Sequence, residues 1–102
     1  MLEHVPIDKE ACPYRFEIVL GAEIFEFEIR YNERHDFFTV DLFKDGETLV
    51  LGERLTYGIP LFRGVEDNRF PIIQLIPFDE AGKENRVSWD NLGKTVFLAV
   101  VE

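Results

Sequence analysis

Residues 14 to 51 alternate between apolar and polar side chains with a period of two, and three tight turns carry the alternation through without losing its phase. Tyr14, Phe16, Ile18 and Leu20 form one apolar series. Phe25, Phe27, Ile29 and Tyr31 form a second, and Phe38, Val40 and Leu42 a third. A period of two is that of a strand with one face buried; helical spacing fits none of these stretches. Gly21-Ala22 reads as a two-residue turn with glycine first, which suits a type II′ hairpin. Folding there sets Ile18 against Phe25, Phe16 against Phe27 and Tyr14 against Ile29, so that face pairs apolar with apolar. The opposite face sets Arg15 against Glu28 and Glu17 against Glu26. A four-residue loop, Asn32–His35, then predicts Ile29 opposite Phe38, Phe27 opposite Val40 and Phe25 opposite Leu42. Asp45-Gly46 gives a third turn, with Leu42 opposite Leu49 and Val40 opposite Leu51. A slip of one residue at any turn would push the whole face into water, so the pattern specifies a four-stranded antiparallel meander.

The remainder is less regular. Gly52, Gly58, Pro60 and Gly64 punctuate a winding segment. Phe70 to Phe78 is apolar but holds Pro71 and Pro77, which fits an edge strand. Ser88 to Leu92 reads as one helical turn capped by Ser88 and stopped at Gly93. Thr95 to Val101 is apolar on both faces and is expected to be covered on both. At 102 residues this is one domain: an N-terminal arm (1–13), the meander (14–51), then the winding segment, edge strand and C-terminal strand (52–102). The expected class is all-β, a small β-sandwich or a partly closed barrel.

Charge and composition narrow the function classes. Eleven Lys and Arg against twenty Asp and Glu give a net charge of −9, which disfavours phosphate backbones and anionic membrane surfaces. The single cysteine, Cys12, excludes an internal disulfide and a cysteine zinc cluster. Residues Met1 to Pro6 show neither the basic start nor the apolar core of a secretory leader, and no apolar run is long enough to span a membrane. The expectation is a soluble domain of a reducing compartment.

Constellations for catalysis are thin. His35 has Asp36 beside it, but neighbours in a turn usually point apart. Cys12 has no evident base, the lone serine Ser88 suits a cap, and Asp79, Glu80 and Glu84 read as a polar loop without calcium-loop spacing. No enzyme activity, cofactor or metal is expected. Ten phenylalanines mostly face the meander's interior. Val19, Ile24, Phe37 and Phe43 do not. The register above puts Ile24 across from Phe43 on the outer face with Val19 beside it, an apolar patch that needs a second layer or a partner. The C-terminal strand is one candidate for that layer.

Several ordered features resemble a family of small bacteriophage tail proteins, the baseplate plugs of contractile-tailed cyanophage. They are the hairpin at Leu20-Gly21, the alternation ending in Tyr31-Asn32-Glu33-Arg34, the strand Phe38-Thr39-Val40-Asp41-Leu42, and the Asp45-Gly46 turn. The most distinctive is the spacing Gly52, Leu55, Gly58, Leu61, followed by Leu92-Gly93 before a final apolar strand. The chain departs from the family pattern at Phe38, Phe62, Ala99 and Val100. The resemblance implies a virion structural protein at the central baseplate hub near tube and spike, with a part in closing the channel. It implies no catalysis. Partners would be other baseplate, hub, tube or spike proteins, with no direct nucleic-acid or membrane binding and with room for an oligomer of hub symmetry. The site would be the virion tail, assembled in the bacterial host cytoplasm. Charge alone leaves open a small acidic inhibitor that imitates nucleic acid and blocks a DNA-binding enzyme. A carbohydrate- or receptor-binding β module built on Trp89 and Tyr57 is a further alternative.

Overall fold

A computed structural model of the chain describes residues 3–63 and 69–101. Among the described residues, seven strands form two antiparallel sheets that face each other as an open sandwich, not a closed barrel. Strands β2 (Tyr14–Leu20), β3 (Glu23–Asn32), β4 (Phe37–Lys44) and β5 (Glu47–Arg54) make the meander, in chain order. Strands β1 (His4–Val5), β6 (Gln74–Phe78) and β7 (Phe97–Val101) make a second sheet with β7 in the centre. The N-terminal arm is thus part of the fold, with His4 opposite Ala99 and Val5 opposite Leu98.

The first hairpin has the predicted register, from Tyr14 opposite Ile29 to Leu20 opposite Glu23. The second does not. Its loop is Glu33–Asp36, one residue later than expected, so Asn32 pairs with Phe37, Ile29 with Val40 and Phe27 with Leu42. Asp36 takes a φ of 55°, a left-handed conformation that aspartate tolerates better than most residues. Asn32 fixes the turn by accepting the His35 N–H at 3.1 Å. The shift is two residues, and two is the period of the strand, so the same side chains still face inward.

The third hairpin starts as predicted, with Lys44 opposite Glu47, and then bulges twice. Leu42 meets Val50 instead of Leu49, and Val40 meets Glu53 instead of Leu51. Gly52 supplies the second bulge with a φ of 76°, and its N–H donates to Asp41 Oδ1 at 2.8 Å. Leu51 is therefore exposed, a correction to its expected inward place. Among the described residues, none apart from its chain neighbours comes within 4 Å of where a Cβ on Gly52 would sit. Gly52→Ala is thus expected to cost about 1 kcal/mol from backbone strain alone, read as a lower urea midpoint with an unchanged slope.

The Gly52–Leu61 spacing is a strap between the sheets. The Leu55 N–H donates to Phe38 of β4 at 3.0 Å. The Gly58 and Leu61 N–H groups donate to Pro77 and Leu75 of β6, at 2.8 and 2.9 Å. Leu55 and Leu61 bury their side chains in the core between. The same contacts explain Pro77. A strand residue presents its nitrogen and its carbonyl to the same side, so the missing N–H of Pro77 faces the strap and not β7. As expected, β6 is an edge strand.

The core joins Phe25, Phe27, Ile29, Phe38, Val40 and Leu42 of the meander to Val5, Leu75, Val96 and Leu98 of the other sheet. The second layer therefore covers the inner face of the meander. The expectation that β7 would cover the outer patch is corrected. Residues 88–92 make a turn and not a helix, although the cap is present: Ser88 Oγ accepts the Asn91 N–H at 3.3 Å, and Asn91 Oδ1 accepts the Ser88 N–H at 2.8 Å. Gly93 follows with a φ of 87°.

Candidate functional site

The residues considered for chemistry are dispersed. His35 is exposed, while the carboxylate of Asp36 turns away from it to other partners. It accepts the Trp89 N–H and the Tyr31 hydroxyl, each at 2.8 Å, and Arg86 Nη2 at 3.1 Å. The Trp89 N–H and then the Tyr31 hydroxyl hold the Asp36 carboxyl below its ordinary value. Asp36 is thus a structural clasp between the β3–β4 hairpin and residues 86–89. Sequence reading missed it, because its partners lie some fifty residues along the chain.

Burial, then the nearby Asp8, raise the pKa of Cys12, so its thiol stays protonated at neutral pH. That is the opposite of an activated nucleophile. Asp79 accepts the N–H groups of Ala81, Lys83 and Glu84 at 2.9, 3.0 and 3.1 Å. Burial works to raise its carboxyl, but these donors and Lys83 bring the net value below the ordinary one. Glu84 accepts from Asn91 Nδ2 at 2.8 Å. These carboxylates organise a loop. Among the described residues no group of three or more His, Cys, Asp or Glu is placed to hold a metal ion, and no helix is long and apolar enough to cross a membrane.

Trp89 and Tyr57 do not form a pair. Trp89 packs on Tyr31 and Phe38, at ring separations of 4.9 and 6.1 Å, whereas Tyr57 stacks on Phe78 at 6.2 Å. An open groove of about 700 Å³ runs beside Trp89, lined also by Lys9, Cys12, Arg30, Tyr31 and Phe37. Lys9 crosses it to donate to the Trp89 carbonyl.

The outer face of the meander holds the four residues singled out as an apolar patch, and it separates them. Val19 and Ile24 are direct partners across the first hairpin, 65% and 57% exposed. Phe43 lies opposite Glu26, not Ile24, because of the shifted register. It is only 8% exposed, with the Arg15 guanidinium 3.9 Å above its ring. Phe37 sits at the far end of β4, half-buried beneath the Arg54 guanidinium at 4.4 Å. Between these ends the face is a charge ladder. Arg15 bridges to Glu28 at 3.2 Å, and Arg30 bridges to Glu28 and to Asp41.

A third exposed apolar residue near the same turn is one the sequence did not mark. Ile72 is 83% exposed, and its Cγ1 lies 3.4 Å from where a Cβ on Gly21 would begin. The Gly21 turn, its flanking Val19 and Ile24, and Ile72 thus gather at one end of the sandwich. The apolar run from Phe70 to Phe78 hid this: only its Gln74–Phe78 part is strand, which leaves Ile72 on the approach. Exposed large apolar side chains concentrated at one end are the mark of a surface that meets another protein.

A family model described as "Cyanophage baseplate Pam3 plug gp18" matches residues 2–102. No curated protein matches the chain.

Proposed function

This chain belongs to that family of cyanophage baseplate plugs, and from that premise we propose that it packs at the central hub of the baseplate, near tube and spike, and closes the channel there. Membership makes it a structural component of the virion tail that meets other baseplate proteins. The hub position and the closing of the channel are the proposal. The observation that carries it is a family match over nearly the whole chain, in a domain that exposes three large apolar side chains, Val19, Ile24 and Ile72, around the Gly21 turn. Val19, Ile24 and Ile72 have no interior to enter, and a neighbouring subunit would bury them. Phe37 and Phe43 would then contribute through the cations above them, Arg54 and Arg15. A net charge of −9 suits a channel lining, because DNA passing through would not adhere.

The outer face gives little support to a nucleic-acid mimic. Its carboxylates Glu28 and Asp41 are bridged by Arg15 and Arg30, so they do not form a bare array spaced like phosphates. Electron cryo-microscopy of tails from the encoding phage tests the proposal. The reading expects the two-sheet domain on the tail axis at the end of the tube. Density confined to the baseplate periphery would contradict it.

A further inference from the structure

Among the described residues no second layer packs on the outward face of the three-stranded sheet, which is apolar apart from Gln74 and His4. Leu98 pairs with Pro77 and Val5, and all three point into the sandwich. Alternation then turns Phe97, Ala99 and Val101 of β7 outward, together with Ile76 and Phe78 of β6 and His4 of β1. Phe97, Ile76 and Val101 are half-buried yet lie outside the core cluster, and Phe78 is 39% exposed. The His4 ring packs against Phe97 at 4.5 Å, tilted by 45°. Beside them lies a groove of about 220 Å³ lined by His4, Phe78, Lys94, Phe97 and Ala99. Small-molecule sites usually enclose about 300–1,000 Å³. This one suits a single apolar side chain.

We propose that this face is a second docking surface, separate from the Val19–Ile24–Ile72 end, and that it receives an apolar side chain from a different, neutral or basic protein of the baseplate. The inference rests on the baseplate reading above. Two observations select a different protein over a second copy. Each chain carries −9, so two copies repel. The face is also small: strands about 4.8 Å apart with about 3.3 Å per residue give roughly 190 Å² over five residues each of β6 and β7 and two of β1. A stable dimer buries about 800 Å² per partner. Such a face works as one contact among several within an assembly. A second contact also fits a plug, which must touch more than one neighbour to stay in place.

The test uses the full chain with Phe78→Ser and, separately, Ile76→Thr, which keeps the branched shape and strand preference. Melting curves and sedimentation are recorded first, then copies per tail particle by mass spectrometry. The expected result is a wild-type monomer in solution and two variants that melt as cooperatively as wild type. Each variant is expected in particles at about tenfold lower copy number or less, the effect of removing an apolar anchor. Folded variants present at wild-type copy number would overturn the second surface and leave the baseplate reading intact. A wild-type dimer that either variant dissolves would overturn the choice of a different protein. Absence of the wild-type chain from particles would overturn both readings.

Discussion

Phe27→Ala is expected to lower the unfolding free energy by about 3–5 kcal/mol. Phe27 is fully buried at the middle of β3. Its ring meets Phe16 on the neighbouring strand at 5.9 Å and Phe62 on the strap at 6.3 Å, both edge-on. Removing it takes away the transfer free energy of the ring and leaves a cavity that two paired strands and the strap cannot collapse to fill. Small domains are stable by about 5–15 kcal/mol, so the variant sits at the margin of folding. Urea unfolding followed by Trp89 fluorescence reads the change as a lower midpoint. A loss of less than about 1 kcal/mol would mean that the meander and the C-terminal sheet do not pack through this ring.

Asp36→Ala is expected to cost about 2 kcal/mol. The carboxylate holds three donors, and a hydrogen bond to a charged group is worth about 1.5–3 kcal/mol when desolvated. The side chain is 37% exposed, so each bond is discounted for solvent and the sum stays well below that ceiling. The loss has a pH signature. The folded carboxyl lies below its ordinary value of 3.8, so its contribution is complete above that value and disappears as pH falls through the lower folded one. The difference between wild type and variant should therefore hold from neutral pH down to about 4 and shrink below it. Asp36→Asn keeps acceptor geometry and loses the charge facing Arg86, so it should fall between the two. A wild-type to Ala difference that grew with acid would contradict the clasp.

These two residues mark the limits of what the sequence discloses. Phe27 is legible because period two assigns its face whatever the register: a shift of two at the β3–β4 loop moved every partner and no side chain changed sides. The register of the first hairpin was legible because Gly21-Ala22 fixes both loop length and phase, but its turn type was not: Gly21 and Ala22 both take a positive φ, 61° and 68°, which makes the turn type I′ and not II′. Bulges are different. Gly52 reads as punctuation, and only pairing to Asp41 makes it the extra residue that turns Leu51 outward. Asp36 was hidden for another reason: local sequence offers His35 as its neighbour, while its partners Arg86 and Trp89 arrive through the fold. The Gly52–Leu61 spacing was visible as a pattern, but its meaning as a strap depends on β6 lying alongside. The candidate contact surface was legible only in Val19 and Ile24, since Ile72 reaches the Gly21 turn only through the fold.

The central claim, that this domain is a built-in part of the tail, is tested most directly by mass spectrometry of purified tail particles from the encoding phage or lysogen, with its copies counted against the tail-tube protein. The account predicts a small, fixed number of copies per particle, the same across preparations and resistant to salt washing. A chain abundant in the infected cell but absent from washed particles would contradict it.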